Sequence, residues 1–196
     1  GKAMQESVPL GKGSMIAVLG LGLKELEDEL IVFKKEVKGI CEIANDNATG
    51  QIIVSGEKGA VTLFQKSLKE KKIKSIPLKV SAPFHCSLMK PAAEVMRDKI
   101  SKIKFKDPII PLIYNVTSEP IKETDKIENL LVDQIFSTVK WRESILNMSK
   151  SGVLNYIEIG PGKVLTGMIK RTIKNANCFS INSIADIKNL INELKK

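Results

Sequence analysis

The chain has 196 residues, 43% hydrophobic and 27% charged, with a net charge of +9. That is enough apolar material for one ordinary domain or two small ones, while no apolar run reaches the roughly 20 residues of a bilayer-spanning helix. Cys41, Cys86 and Cys178 are far apart and lack a C-x-x-C spacing, which argues against a disulfide framework or a structural zinc and fits a reducing compartment.

Residues 1–12 read as the end of a helix, with Met4 on one face, and then a loop; no secretory h-region is present. Residues 14–21 are a short apolar run closed by Gly20 and Gly22, the pattern of a buried strand. Leu23, Leu26, Leu30, Phe33 and Val37 then recur at helical spacing, and Gly39 stops them. Ile40, Cys41 and Ile43 predict a second strand, Asn45 to Gly50 a turn, and Gln51 to Gly56 a third strand. Ala60, Val61, Phe64 and Leu68 mark a second helix, and Ile73 to Val80 a fourth strand. The order β-α-β-β-α-β over residues 14–78 is the split βαβ, or ferredoxin-like, arrangement.

Beyond Pro83 the pattern changes. Leu88, Ala92, Met96 and Ile100 predict a helix, and Ile109 to Val116 a β-branched strand. Helices follow at Ile127–Ile135 and Trp141–Met148, a strand at Tyr156–Ile159, a helix through Val164–Ile169, a strand at Cys178–Ile181, and a closing helix from Ile184 to Leu194. Strands alternating with helices predict an α/β class with a mostly parallel sheet in this part.

The single histidine, His85, lies at a strand-to-helix junction, where α/β folds place reacting groups, and an imidazole can move a proton near neutral pH. A surface or capping histidine without a role is the competing reading. No second histidine and no carboxylate cluster accompanies it, so a metal site is not expected. No G-x-S-x-G elbow occurs, and Cys86 is adjacent in sequence, so its side chain points away from the imidazole; if His85 is a base, its nucleophile lies elsewhere. The Gly160-Pro161-Gly162-Lys163 loop matches no phosphate-binding fingerprint and reads as a tight turn. All but three of the 31 cationic residues are lysine. Such a surface fits an acidic partner, or only a composition rich in Lys, Ile and Asn. Nucleic acid is not the expected partner, because the strands at residues 15–19 and 51–54 carry no aromatic side chains for base stacking.

Five collinear segments carry a resemblance: Val80 to Ala93, Ile157 to Gly167, Asn45 to Gln51, the opening Gly1 to Gln5, and Leu131 to Gln134 with Val139 to Trp141. Taken in chain order, and nearly to Lys174, they resemble the malonyl-CoA:acyl carrier protein transacylases of type II fatty acid synthesis. The resemblance implies an α/β-hydrolase-like core, here residues 1–13 and 79–196 and incomplete, with a ferredoxin-like subdomain inserted at 14–78. It implies transfer of a malonyl group from coenzyme A to the phosphopantetheine thiol of acyl carrier protein through an ester on a serine, without a metal or other cofactor. By motif match, His85 is the general base and Gln134 supplies the main-chain carbonyl that orients it, in place of a triad acid. Asn47 matches a residue at the mouth of the acyl pocket, and Phe84 a bulky position that disfavours an α-methyl on the acyl chain.

The family's serine elbow, its oxyanion-hole glutamine and its carboxylate-gripping arginine precede the Gly-x-x-Met-Gln segment, which here is residues 1–5. The expectation is therefore a C-terminal two-thirds, inactive alone. A monomer in a bacterial cytoplasm or a plastid-like organelle is expected, with malonyl-CoA and acyl carrier protein as partners. The competing functional readings are a non-catalytic carrier-protein-binding domain and, below it, a basic nucleic-acid module.

Overall fold

Leu26, Leu30 and Phe33 recur every three or four residues, and they fold into one buried stripe. The structure, a computed structural model, describes residues 1–194 and divides into two units, Gly1–Ser144 and a second beginning at Ile145.

In the first unit a short helix α1 (Lys2–Glu6) leads into β1 (Gly13–Leu19), α2 (Leu23–Glu36), β2 (Cys41–Ala48), β3 (Gln51–Glu57), α3 (Lys58–Glu70) and β4 (Lys74–Pro77). The four strands form one sheet in the order β2-β3-β1-β4, with every neighbouring pair antiparallel. Alternation gives the sheet two faces. On one, Ile16, Val18, Ile52 and Val54 pack with Leu26, Leu30 and Phe33 of α2 and Val61, Phe64 and Leu68 of α3. Phe33 and Phe64 meet edge-tilted, with ring centroids 5.0 Å apart. On the other face Met15, Ala17, Ala44 and Ile53 pack with Leu78 and Phe84.

A single 3-10 turn, Ser87–Met89, opens α4 (Lys90–Ile100), with Pro91 in its first turn where no amide is needed. Then come a two-residue ribbon of β5 (Leu112–Ile113) and β6 (Pro120–Ile121), and α5 (Ile127–Asp133). Val8, Met89, Ala92, Ala93, Ile100, Val132 and Ile135 make a second core between α4 and α5. Phe84 packs against this cluster and also against the sheet. The residue before His85 is thus pinned between two cores.

Helix α6 (Trp141–Lys150) straddles the boundary between units. In the second unit β7 (Asn155–Ile159), α7 (Val164–Thr172) and β8 (Asn177–Ile181) form a βαβ crossover with parallel strands, followed by α8 (Ile184–Leu194).

Several expectations change in detail. The turn signal at 45–50 is mostly strand: β2 runs to Ala48, with irregular register at Ile43/Asn45 and Asp46/Ala48, and only Thr49 and Gly50 turn. Asn and Asp are tolerated there because bulges release them from the regular ladder, and because Asp46 has a partner in Arg142. The strand expected over 109–116 shrinks to two residues. Pro108 and Pro111 bracket Ile109 and Ile110, remove ladder donors, and leave both isoleucines exposed. The fourth strand ends at Pro77 for the same reason. Among the described residues the only parallel strand pair in the sheets is β7-β8.

Candidate active site

His85 sits on the loop between β4 and the 3-10 turn. Its backbone is left-handed, with φ 57°, a conformation that costs a non-glycine residue about 1–3 kcal/mol unless its surroundings impose it. Three contacts impose it. Pro83 is fully buried and lies so close to Gly13 of β1 that a Cβ there would stand 2.3 Å from the ring, so only glycine admits this approach. Phe84 is held by the two cores. Ser87, on the far side, donates from its backbone N–H (2.8 Å) and its hydroxyl (2.9 Å) to the two carboxylate oxygens of Glu42 on β2.

The imidazole Nδ1–H donates to the main-chain carbonyl of Gln134, 2.8 Å away. Gln134 is the residue that ends α5, and carbonyls of a last helical turn have no partner within the helix. A carbonyl can only accept, so the proton lies on Nδ1 and the lone pair on Nε2. Burial holds the imidazole pKa below its ordinary 6.5, partly offset by the bond to Gln134, so the ring is neutral at pH 7. It lines an open cavity of about 530 Å³ together with Glu42, Ile43, Leu30, Ser137 and Thr138. The Gln134 side chain turns elsewhere, with its Oε1 accepting from Asn115 Nδ2 at 3.1 Å.

Strand β2 anchors the segment after Gln134. Ile43 O accepts from the Thr138 hydroxyl (2.6 Å), Ala44 O from Val139 N–H (2.8 Å), and Asp46 N–H donates to Val139 O (2.9 Å). Asp46, 3% exposed, takes both oxygens to Arg142 Nε at 2.9 Å, with a third contact of 2.7 Å from the guanidinium. A planar fork is the cation suited to such a buried carboxylate.

Of the four residues singled out by sequence, His85 and Gln134 meet through one hydrogen bond, and Phe84 adjoins His85 in the chain. Asn47, half-buried on β2, does not line the cavity that His85 lines. Sequence reasoning missed Glu42, Ser87, Asp46 and Arg142. Their only signal was a charge or a hydroxyl, and their partners lie 45 and 96 positions away. Cys86 is buried, with its thiol donating to Pro83 O at 3.2 Å. In the second unit, Gly160 and Gly162 make the turn before α7, and the amides at the start of that helix already donate to Glu158 (Leu165 at 3.1 Å, Thr166 at 2.8 Å). Among the described residues no group of three His, Cys, Asp or Glu is placed to hold a metal, and no helix is long and apolar enough to cross a membrane.

A family model described as the acyl transferase domain matches residues 1–193. The chain belongs to the acyl transferase domain family. Within this family it is 38% identical, over all of its length, to the malonyl CoA-acyl carrier protein transacylase of Bacillus subtilis, of which it covers 62%. A solved acyl-carrier-protein S-malonyltransferase from Bartonella henselae superposes with a TM-score of 0.92 at 39% identity, covering 100% of this chain and 62% of that one. A malonyl-transacylase solved in complex with its type II polyketide acyl-carrier protein gives 0.91 at 33% identity, covering 98% and 62%. The acyl transferase chain thus spans about three fifths of the length of the relatives it matches.

Proposed function

We propose that these residues form the base-bearing part of a malonyl-CoA:acyl carrier protein transacylase. The observation that carries the reading is the fixed tautomer of His85: a neutral imidazole, anchored through Nδ1 to the Gln134 carbonyl, with a basic Nε2 on a ring that lines an open cavity. Nε2 takes the proton of a serine hydroxyl as its oxygen attacks the thioester carbonyl of malonyl-CoA. The imidazolium returns that proton to the departing thiolate, leaving malonyl-serine and free coenzyme A. The second half runs the same steps with the phosphopantetheine thiol of acyl carrier protein as attacking group. The serine is assigned to the part of the relatives' length that this chain does not span.

No metal or organic cofactor enters this chemistry, because acid, base and nucleophile are all side chains. The antiparallel order β2-β3-β1-β4 with its two helices supports a ferredoxin-like subdomain at 14–78, inserted in a hydrolase-like core to which the described residues 1–13 and 79–194 are assigned. Phe84, beside the base, is the wall that favours malonyl over α-methyl substrates, and Asn47 is assigned to the pocket mouth. The lysine-rich surface suits an acidic carrier protein and the phosphates of coenzyme A. A monomer in a bacterial cytoplasm or a plastid-like organelle completes the proposal.

The test is formation of the malonyl-enzyme by this chain joined to the serine-bearing segment of a relative. His85→Ala is expected to slow acylation by about 10²–10⁴-fold; undiminished acylation overturns the reading.

A further inference from the structure

We infer that Glu42 and Ser87 are positioning residues for His85: a carboxylate on β2 grips the loop two residues past the imidazole and keeps its Nδ1–H aimed at the Gln134 carbonyl. The proposal rests on the reading of His85 as a base and adds residues that the acyl-transfer chemistry does not itself require.

Three successive residues of one strand carry it. Glu42 binds Ser87 through both carboxylate oxygens, Ile43 accepts from Thr138, and Ala44 accepts from Val139. Ser87 is two residues after the imidazole; Thr138 and Val139 are four and five after its acceptor. The donor loop and the acceptor segment therefore hang from adjacent positions of a single hydrogen-bonded strand, and the 2.8 Å bond between His85 and Gln134 is a distance fixed by that strand. Strain supplies the reason for a grip. A histidine at φ 57° relaxes when its flanks are free, and relaxation turns the ring away from the carbonyl. Bonds to a charged carboxylate are the stronger class of hydrogen bond, and here one oxygen serves each donor.

His85 is the only histidine, so its imidazole nitrogens give a single set of NMR signals in the chain as it stands. Well above its titration, the wild type is expected to show the Nδ1–H tautomer alone. Glu42→Ala is expected to reduce that preference about tenfold, so that both tautomers are seen, while Ser87→Ala, which removes one of two donors, reduces it about threefold. Glu42→Gln and Ser87→Thr, which keep the acceptor and the hydroxyl, are expected to restore it. Thermal unfolding is followed in parallel, because a merely structural cap would lower stability and leave the tautomer unchanged. A folded Glu42→Ala chain with an unshifted Nδ1–H tautomer overturns the proposal; should that variant fail to fold, an unshifted ratio in Ser87→Ala overturns it instead. The readout involves no substrate. Acylation tests the role of His85 and the tautomer ratio tests the grip, so either can fail without the other.

Discussion

The two units solve the same problem, burying one face of a sheet, with different success. In the first, an antiparallel sheet has two helices on one face and Phe84 with Leu78 on the other, so Ile16, Val18, Val54 and Phe64 are almost wholly enclosed. In the second, a two-stranded parallel pair has α7 over one face, where Tyr156, Met168 and Ile169 are buried. The alternate residues of β7 stay open: Ile157 is 43% and Ile159 81% exposed, and α8 buries none of its side chains. Parallel strands are found with both faces covered. Local pairing can close an antiparallel sheet from its own hairpins and short crossovers, whereas a parallel pair needs a layer on each face, and here Ile157 and Ile159 remain open.

The strongest way to break that contrast is to cut into each core. Phe64→Ala is expected to cost about 3–5 kcal/mol in urea unfolding, while Ile159→Ala should stay within about 0.5 kcal/mol. Equal losses would mean that the second unit is as well enclosed as the first. Next is the seam that ties β2 to α6. Arg142→Ala leaves the Asp46 carboxylate buried without its cation, and a loss of about 3 kcal/mol is expected, with Asp46→Asn milder because the guanidinium it leaves unpaired is 27% exposed and can be hydrated. A negligible loss for Arg142→Ala would show that water reaches Asp46.

Thiol chemistry sharpens the same comparison. Burial pushes the Cys41 thiol up to about 12 and raises that of Cys86, and both are fully enclosed in the first unit. Cys178, half-buried on β8, is expected to react first with an aromatic disulfide reagent, with the other two waiting for unfolding. Fast labelling of Cys41 would indicate that the first unit opens readily. The smallest effect is the titration of His85. Its folded pKa lies below the unfolded 6.5, so the unfolded chain binds the proton first as pH falls. Relative to His85→Asn, the wild type should lose stability as pH drops through 6.5 and level off below the folded value. If the proposed acylation holds, this chain joined to the serine-bearing segment of a relative should, by the same shift, keep it down to a midpoint below 6.5. A midpoint above 6.5 would place a negative charge beside the ring.

The helical stripes of α2 and α3 and the apolar strands β1 and β3 were legible because each is a local pattern: a period of 3.6 or 2 set against turn residues. His85 was legible as the single histidine at a strand-to-helix junction, but Gln134 only through the resemblance, since a main-chain carbonyl leaves no trace in a side-chain pattern. Ile109 and Ile110 mislead because β-branching favours a strand while the prolines beside them forbid the ladder, and Asn45 to Asn47 mislead because a bulged strand and a turn use the same residues.

By itself the sequence determined the stripes of α2 and α3, the apolar strands β1 and β3, and that one imidazole is the single candidate base, because those depend on composition and on neighbours a few positions apart. Only the tertiary structure decided the left-handed backbone of His85, the tautomer imposed by Gln134, and the convergence of Glu42 and Asp46 on partners 45 and 96 residues away. The physical reason is that a hydrogen bond acts over about 3 Å, whatever the separation along the chain, and only folding brings those atoms within it.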